Sequence, residues 1–127
     1  MKPRLLVVDD ERDYLDMLQD ALGDAYALLT ATSAADGIAL FRREADITLA
    51  VIDYMMPGGN GIRLAKAIVE SRRAVPMVIW SAYLPSGMRE WEAELTLRVI
   101  AKSEGPEALL RAIAEILGPA QPAAQPS

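Results

Sequence analysis

Asp9, Asp10, Asp53, Ser81 and Lys102 are the residues whose types and placement could do chemistry here. Each stands at the end of a short apolar run. Three carboxylates gathered at about 5 Å, in an effective dielectric near 20, repel by roughly 3 kcal/mol per pair. A divalent cation and a nearby ammonium both relieve that repulsion. The chain has no histidine and no cysteine, so an oxygen-only ligand set is left, and that suits Mg²⁺. Beside such an ion, Asp53 is a nucleophile able to accept a phosphoryl group. Lys102 and the cation would neutralise the equatorial oxygens of that group, and the Ser81 hydroxyl would donate to one of them. Taken singly, Asp10 reads as a helix cap, Ser81 as a turn residue and Lys102 as a solvated lysine. Asp53 is harder to set aside, because its apolar run offers no structural reason for a carboxylate. The set as a whole, in order on alternating strands, reads as a site.

The elements that must position these groups are legible from the apolar pattern. Strands are expected at 5–9, 26–31, 47–53, 76–81 and 97–101, the first, third and fourth carrying continuous apolar runs and the second more mixed, nearer an edge. Helices are expected at 11–22, 34–45, 61–71 and 106–117, with apolar residues at helical spacing, such as Tyr14, Leu15, Leu18 and Leu22 in the first. Asp10, Ser33 and Asn60 are placed to cap the first three. Pro106 opens the last, and Gly23 and Gly118 stop the first and last. A further helix is expected at 85–94. The alternation is (βα)5, an α/β fold with a single doubly wound five-stranded parallel sheet in flavodoxin-like order 2-1-3-4-5. That order sets the first and third strands side by side, with Asp9, Asp10 and Asp53 at the switch point. Trp80 is expected at the pocket rim beside Ser81. Residues 1–118 form one domain, and the Pro/Ala/Gln-rich 119–127 reads as a disordered tail or linker.

Composition excludes several classes. A net charge of −5 argues against a nucleic-acid surface. No apolar run approaches the roughly 18 residues of a membrane span, and the apolar run after the basic N-terminus meets Asp9 too soon for a signal peptide. The default compartment is the cytoplasm. Without cysteine there is no disulfide framework. Without histidine, the usual general base is missing and this chain cannot itself be a phosphohistidine donor.

These residues resemble the response-regulator receiver domain of two-component signalling, a CheY-like superfamily. The resemblance covers residues 5–117 and is carried by Val7, Val8, Asp9, Asp10 and Glu11, by Asp53 through Pro57 with Gly61, by Ser81 and Ala82, and by Lys102. It implies Asp53 as phosphoacceptor. It implies Mg²⁺ held by Asp9, Asp10, Asp53 and the backbone carbonyl of Met55. It further implies Ser81 as switch hydroxyl, with Ala82 beside it in the phosphate-binding turn, and Lys102 as the phosphate partner. The implied donor is a histidine kinase or a histidine phosphotransfer protein. The implied output is a protein–protein contact with an unidentified partner, made by a monomer or weak homodimer. Such a domain is a switch rather than an enzyme.

Three departures bear on the output. Proline usually follows the lysine, through a cis bond; here Ser103 follows, and a cis bond before a non-proline residue costs roughly 3 kcal/mol. A trans bond is therefore expected, which leaves the position of the Lys102 ammonium open. An aromatic switch residue often stands three before the lysine; here it is Val99. The segment 83–94 is short, and Trp91 there is either a partner contact or a core residue. Two other readings compete: a phosphorylation-independent pseudo-receiver interaction module, and an aspartyl-phosphate phosphatase. The second lacks the usual acidic residue just after its nucleophile, where Met55 and Met56 stand.

Overall fold

The computed structural model describes residues 2–56, 61–82 and 97–118. Five strands, β1 (Arg4–Val8), β2 (Ala27–Ala31), β3 (Ile47–Ile52), β4 (Met77–Ser81) and β5 (Leu97–Ala101), alternate with α1 (Arg12–Leu22), α2 (Ala34–Arg43), α3 (Gly61–Glu70) and α4 (Pro106–Leu117). All pairings are parallel, in the order β2-β1-β3-β4-β5. This is the doubly wound sheet expected from the apolar runs. The expected helix at 85–94, the Asn60 cap, Trp91 and the tail 119–127 lie outside the described residues.

The runs are apolar throughout because both faces of the sheet are covered. Side chains alternate across a strand. Leu6, Val8, Ala50, Ile52 and Ile79 pack with Phe41, Leu64 and Ile68 from α2 and α3. Leu5, Val7, Val51, Val78 and Trp80 pack with Leu15 and Leu18 from α1 and Leu109 and Ile113 from α4. Trp80 is therefore a core residue, 1% exposed, and not at the pocket rim. Alternation sends it under α1 and α4, while its neighbour Ser81 serves the site.

The helix ends follow local chemistry. Ser33 Oγ accepts from the Asp36 N–H at 3.1 Å, the N-cap expected for α2. Pro106 sits in the first turn of α4, and Gly118 ends it at φ 90°, a left-handed conformation that favours glycine. At α1 the cap position is Glu11 rather than Asp10. The carboxylate that serves this end is Asp9, whose Oδ1 accepts from the Glu11 N–H at 2.9 Å. Such a bond to the N–H two residues on is a habit of Asp side chains in turns.

At the opposite end of the sheet, Arg73 bonds the Phe41 and Glu44 carbonyls behind α2, and its guanidinium lies 3.9 Å from the centre of the Phe41 ring. Arg4 pairs with Glu44 and Asp46 on the same side, at 3.1 and 2.6 Å.

Candidate functional site at the carboxyl ends of the strands

The sheet order brings four strand ends together. Asp9 and Asp53 each follow their strand directly and extend the ladder. The Asp9 N–H donates to Ala31 O at 3.1 Å, and the Asp53 N–H to Val8 O at 2.9 Å. Both side chains are buried, at 1% and 4% exposure, with Asp10 half-buried beside them. Carboxylate oxygens of Asp9, Asp10 and Asp53 lie within 4.8 Å of one another.

Both carboxylate oxygens of Asp53 have partners. Oδ1 accepts from Ser81 Oγ at 2.8 Å and from the Met55 N–H at 3.3 Å. Oδ2 accepts from Lys102 Nζ at 3.3 Å. The Met55 bond repeats at β3 the two-residue turn that Asp9 makes at β1. Lys102 Nζ lies closer still to Asp9 Oδ2, at 2.7 Å. That oxygen receives no well-aligned hydrogen bond among the described residues, so the ion pair is what compensates it.

The Lys102 ammonium is therefore not displaced, although no peptide bond among the described residues is cis. Its backbone enters a short 3₁₀ turn, Lys102–Glu104. Glu104 Oε2 accepts from the Ala101 N–H at 3.0 Å, and the Gly105 N–H donates to Lys102 O at 3.1 Å. These two bonds anchor the lysine's backbone without a following proline.

Burial pushes the Asp53 carboxyl above its ordinary value; the Ser81 hydroxyl opposes this, the Asp9 charge adds to it, and Lys102 opposes it. For Lys102, burial pulls downward, but Asp9 and then Asp53 outweigh it, so the amine stays charged. Three carboxylates against one ammonium leave two negative charges in formal count. An oxygen donor set with that excess fits a small divalent cation such as Mg²⁺.

Gly61 permits the closeness of this arrangement. A Cβ there would stand 2.2 Å from the Asp53 carbonyl oxygen and 2.6 Å from Ile52 Cγ2. The Gly61 N–H donates to Tyr54 O at 2.8 Å. The start of α3 is thus set directly against the turn that presents Asp53. Ala82 follows Ser81 at an exposed bend, and Val99 is half-buried against the α2 and α3 face of the sheet.

One residue of the site carries no sequence signal beyond its place in the apolar stripe of α1. The Tyr14 ring lies 3.8 Å from Lys102 Nζ, ring centre to nitrogen. No local signal pairs these two positions, because their meeting depends on the order of the strands.

A parallel sheet with an acidic cluster, a hydroxyl and an amine at its switch point defines a signalling receiver architecture. The comparisons agree. Residues 5–114 match the family model for the response regulator receiver domain, and the chain belongs to that family, part of two-component signalling. A 79-residue stretch is 34% identical to the response regulator SaeR of Staphylococcus aureus (strain USA300), covering 61% of this chain and 34% of that one. The match thus spans about a third of the length of that relative. The CheY-like receiver domain protein of Methanospirillum hungatei JF-1 superposes with a TM-score of 0.85 at 25% identity, over 92% of this chain and 94% of that one. The non-phosphorylated HemR receiver domain of Leptospira biflexa gives 0.84 at 28% identity, over 95% and 98%.

Proposed function

We propose that this receiver domain is a phosphoacceptor switch in which Asp53 takes a phosphoryl group from a phosphohistidine of a histidine kinase or phosphotransfer protein. The observation that carries this reading is the buried Asp53 carboxylate, held by Ser81 and Lys102 beside two further aspartates. A carboxylate oxygen of Asp53 attacks phosphorus, the P–N bond to the donor imidazole breaks, and the imidazole nitrogen keeps the electron pair. Asp9, Asp10, Asp53 and the Met55 backbone carbonyl would hold Mg²⁺. When bound, the ion supplies charge that offsets the incoming phosphoryl oxygens. Lys102 adds a second positive charge on the side facing Asp53 Oδ2. Ser81, already donating to Asp53 Oδ1, can turn its hydroxyl to a phosphoryl oxygen and draw Ala82 with it. The output is a change in a protein–protein surface, with residues 1–118 as the working unit, 119–127 as tail or linker, and the cytoplasm as compartment. On this reading the domain catalyses only its own phosphorylation and dephosphorylation, as a monomer or weak homodimer.

The test is an intact-mass measurement with Mg²⁺ and acetyl phosphate. The expected result is a gain of one phosphoryl group, absent in Asp53→Ala. Binding of Mg²⁺ with no gain in mass would instead indicate a phosphorylation-independent module. Sustained turnover of phosphomonoesters would indicate a phosphatase.

A further inference from the structure

We infer that Tyr14 is a positioning residue for the Lys102 ammonium: its ring seats the amine over the acidic cluster while leaving it free to turn toward an incoming phosphoryl group. The inference rests on the phosphoacceptor reading above and adds a residue to it.

A lysine ammonium carries three donors on a long flexible stem. Here two carboxylate oxygens face the ammonium, Asp9 Oδ2 at 2.7 Å and Asp53 Oδ2 at 3.3 Å. The Tyr14 ring faces it as well, with its centre 3.8 Å from Nζ, well inside the roughly 6 Å range of a cation–π contact. The ring attracts the cation without adding negative charge. A carboxylate in that place would hold the amine equally well, but it would repel a phosphoryl group arriving at Asp53.

The contacts also close on themselves. Asp9 Oδ1 fixes the Glu11 N–H at the entrance of α1. The Glu11 carbonyl accepts from the Tyr14 N–H at 3.1 Å. Tyr14 covers Lys102, and Lys102 returns to Asp9 Oδ2. One carboxylate thus sets both the amine and, through the first turn of α1, the ring that covers it. The half-buried position of Tyr14 makes its replacement tolerable to the fold.

The chain has three lysines, Lys2, Lys66 and Lys102, so their ε-methylene signals are few enough to resolve by NMR in the metal-free protein. In wild type, Lys102 is expected to show ε-proton signals shifted upfield by the ring, identified by their loss in Lys102→Arg. Tyr14→Leu removes the upfield shift and slows phosphorylation by acetyl phosphate with Mg²⁺ by roughly tenfold. Tyr14→Phe keeps both near wild type, since the ring and not the hydroxyl is at work. Tyr14→Gln, polar and suited to a half-exposed site, repeats the Leu result if the Leu variant folds poorly by circular dichroism. Unshifted Lys102 signals in wild type overturn the inference. So does a folded Leu or Gln variant that phosphorylates at the wild-type rate. A wild-type protein that takes no phosphoryl group would sink the phosphoacceptor reading instead; a ring shift kept in Phe and lost in Leu would still support Tyr14 as the seat of the amine.

Discussion

The Lys102 ammonium lies nearer to Asp9, at 2.7 Å, than to Asp53, at 3.3 Å. The amine thus bridges two carboxylates of the cluster and is not dedicated to one. Its removal leaves two buried carboxylates without their cation, a change that typically costs about 3–5 kcal/mol. Lys102→Met is therefore expected to melt well below wild type in a chelating buffer. Added Mg²⁺ is expected to raise the variant's Tm by more than it raises that of wild type, because the ion then offsets repulsion alone. Equal gains from Mg²⁺ in thermal scans of the two proteins would contradict this account.

Asp53 is held in a setting that favours its neutral form, with burial as the chief cause. A group whose folded pKa is raised stabilises the fold at pH below its unfolded value of 3.8, and that contribution is lost as pH rises through the higher folded value. Asp53→Asn removes the charge and keeps the shape. It is expected to be more stable than wild type at pH 7 without divalent ions, seen as a higher Tm. The advantage should shrink toward pH 4. Urea melts of both proteins at the two pH values check the sign.

Gly61→Ala places a methyl group against the Asp53 carbonyl oxygen, and backbone there cannot yield cheaply. Overpacking of this kind costs about 1–3 kcal/mol. The substitution is also expected to move the Asp53 turn and so to weaken Mg²⁺ binding, measured by calorimetry. A variant that loses stability while binding Mg²⁺ normally would show that the close approach serves packing alone.

Tyr26 is 1% exposed, and its hydroxyl finds no partner among the described residues. An unpaired buried hydroxyl costs about 1–3 kcal/mol. Tyr26→Phe keeps the ring and drops that cost, so chemical denaturation should show unchanged or higher stability. A loss of more than 1 kcal/mol would mean the hydroxyl is bonded in solution.

Much of this was legible in the chain itself. Runs such as Leu5 to Val8 and Leu49 to Ile52 are apolar at every position, which only a sheet covered on both faces requires. The polar residue at the end of each run then marks the edge where a site can form. The failures have physical causes too. Sequence places Asp10 to cap α1, but the helix starts one residue later, with Glu11 at the cap and its N–H held by Asp9. Nearness to Ser81 in sequence points Trp80 to the rim, but neighbours on a strand face opposite ways. Ser103 after the lysine leaves open where its ammonium sits. The Glu104 bond to Ala101 N–H and the Tyr14 ring hold it over the carboxylates, and neither contact leaves a trace in local sequence.

Because every strand runs in one direction, the molecule has two unlike poles. The charged clamps at the far pole, Arg4 with Glu44 and Asp46 and Arg73 behind α2, touch none of the reactive groups. Lesions there would lower the amount of folded protein in a cell and leave the chemistry of each surviving molecule intact. A phenotype traced to that pole would therefore be one of abundance, curable by a stabilising change elsewhere in the fold.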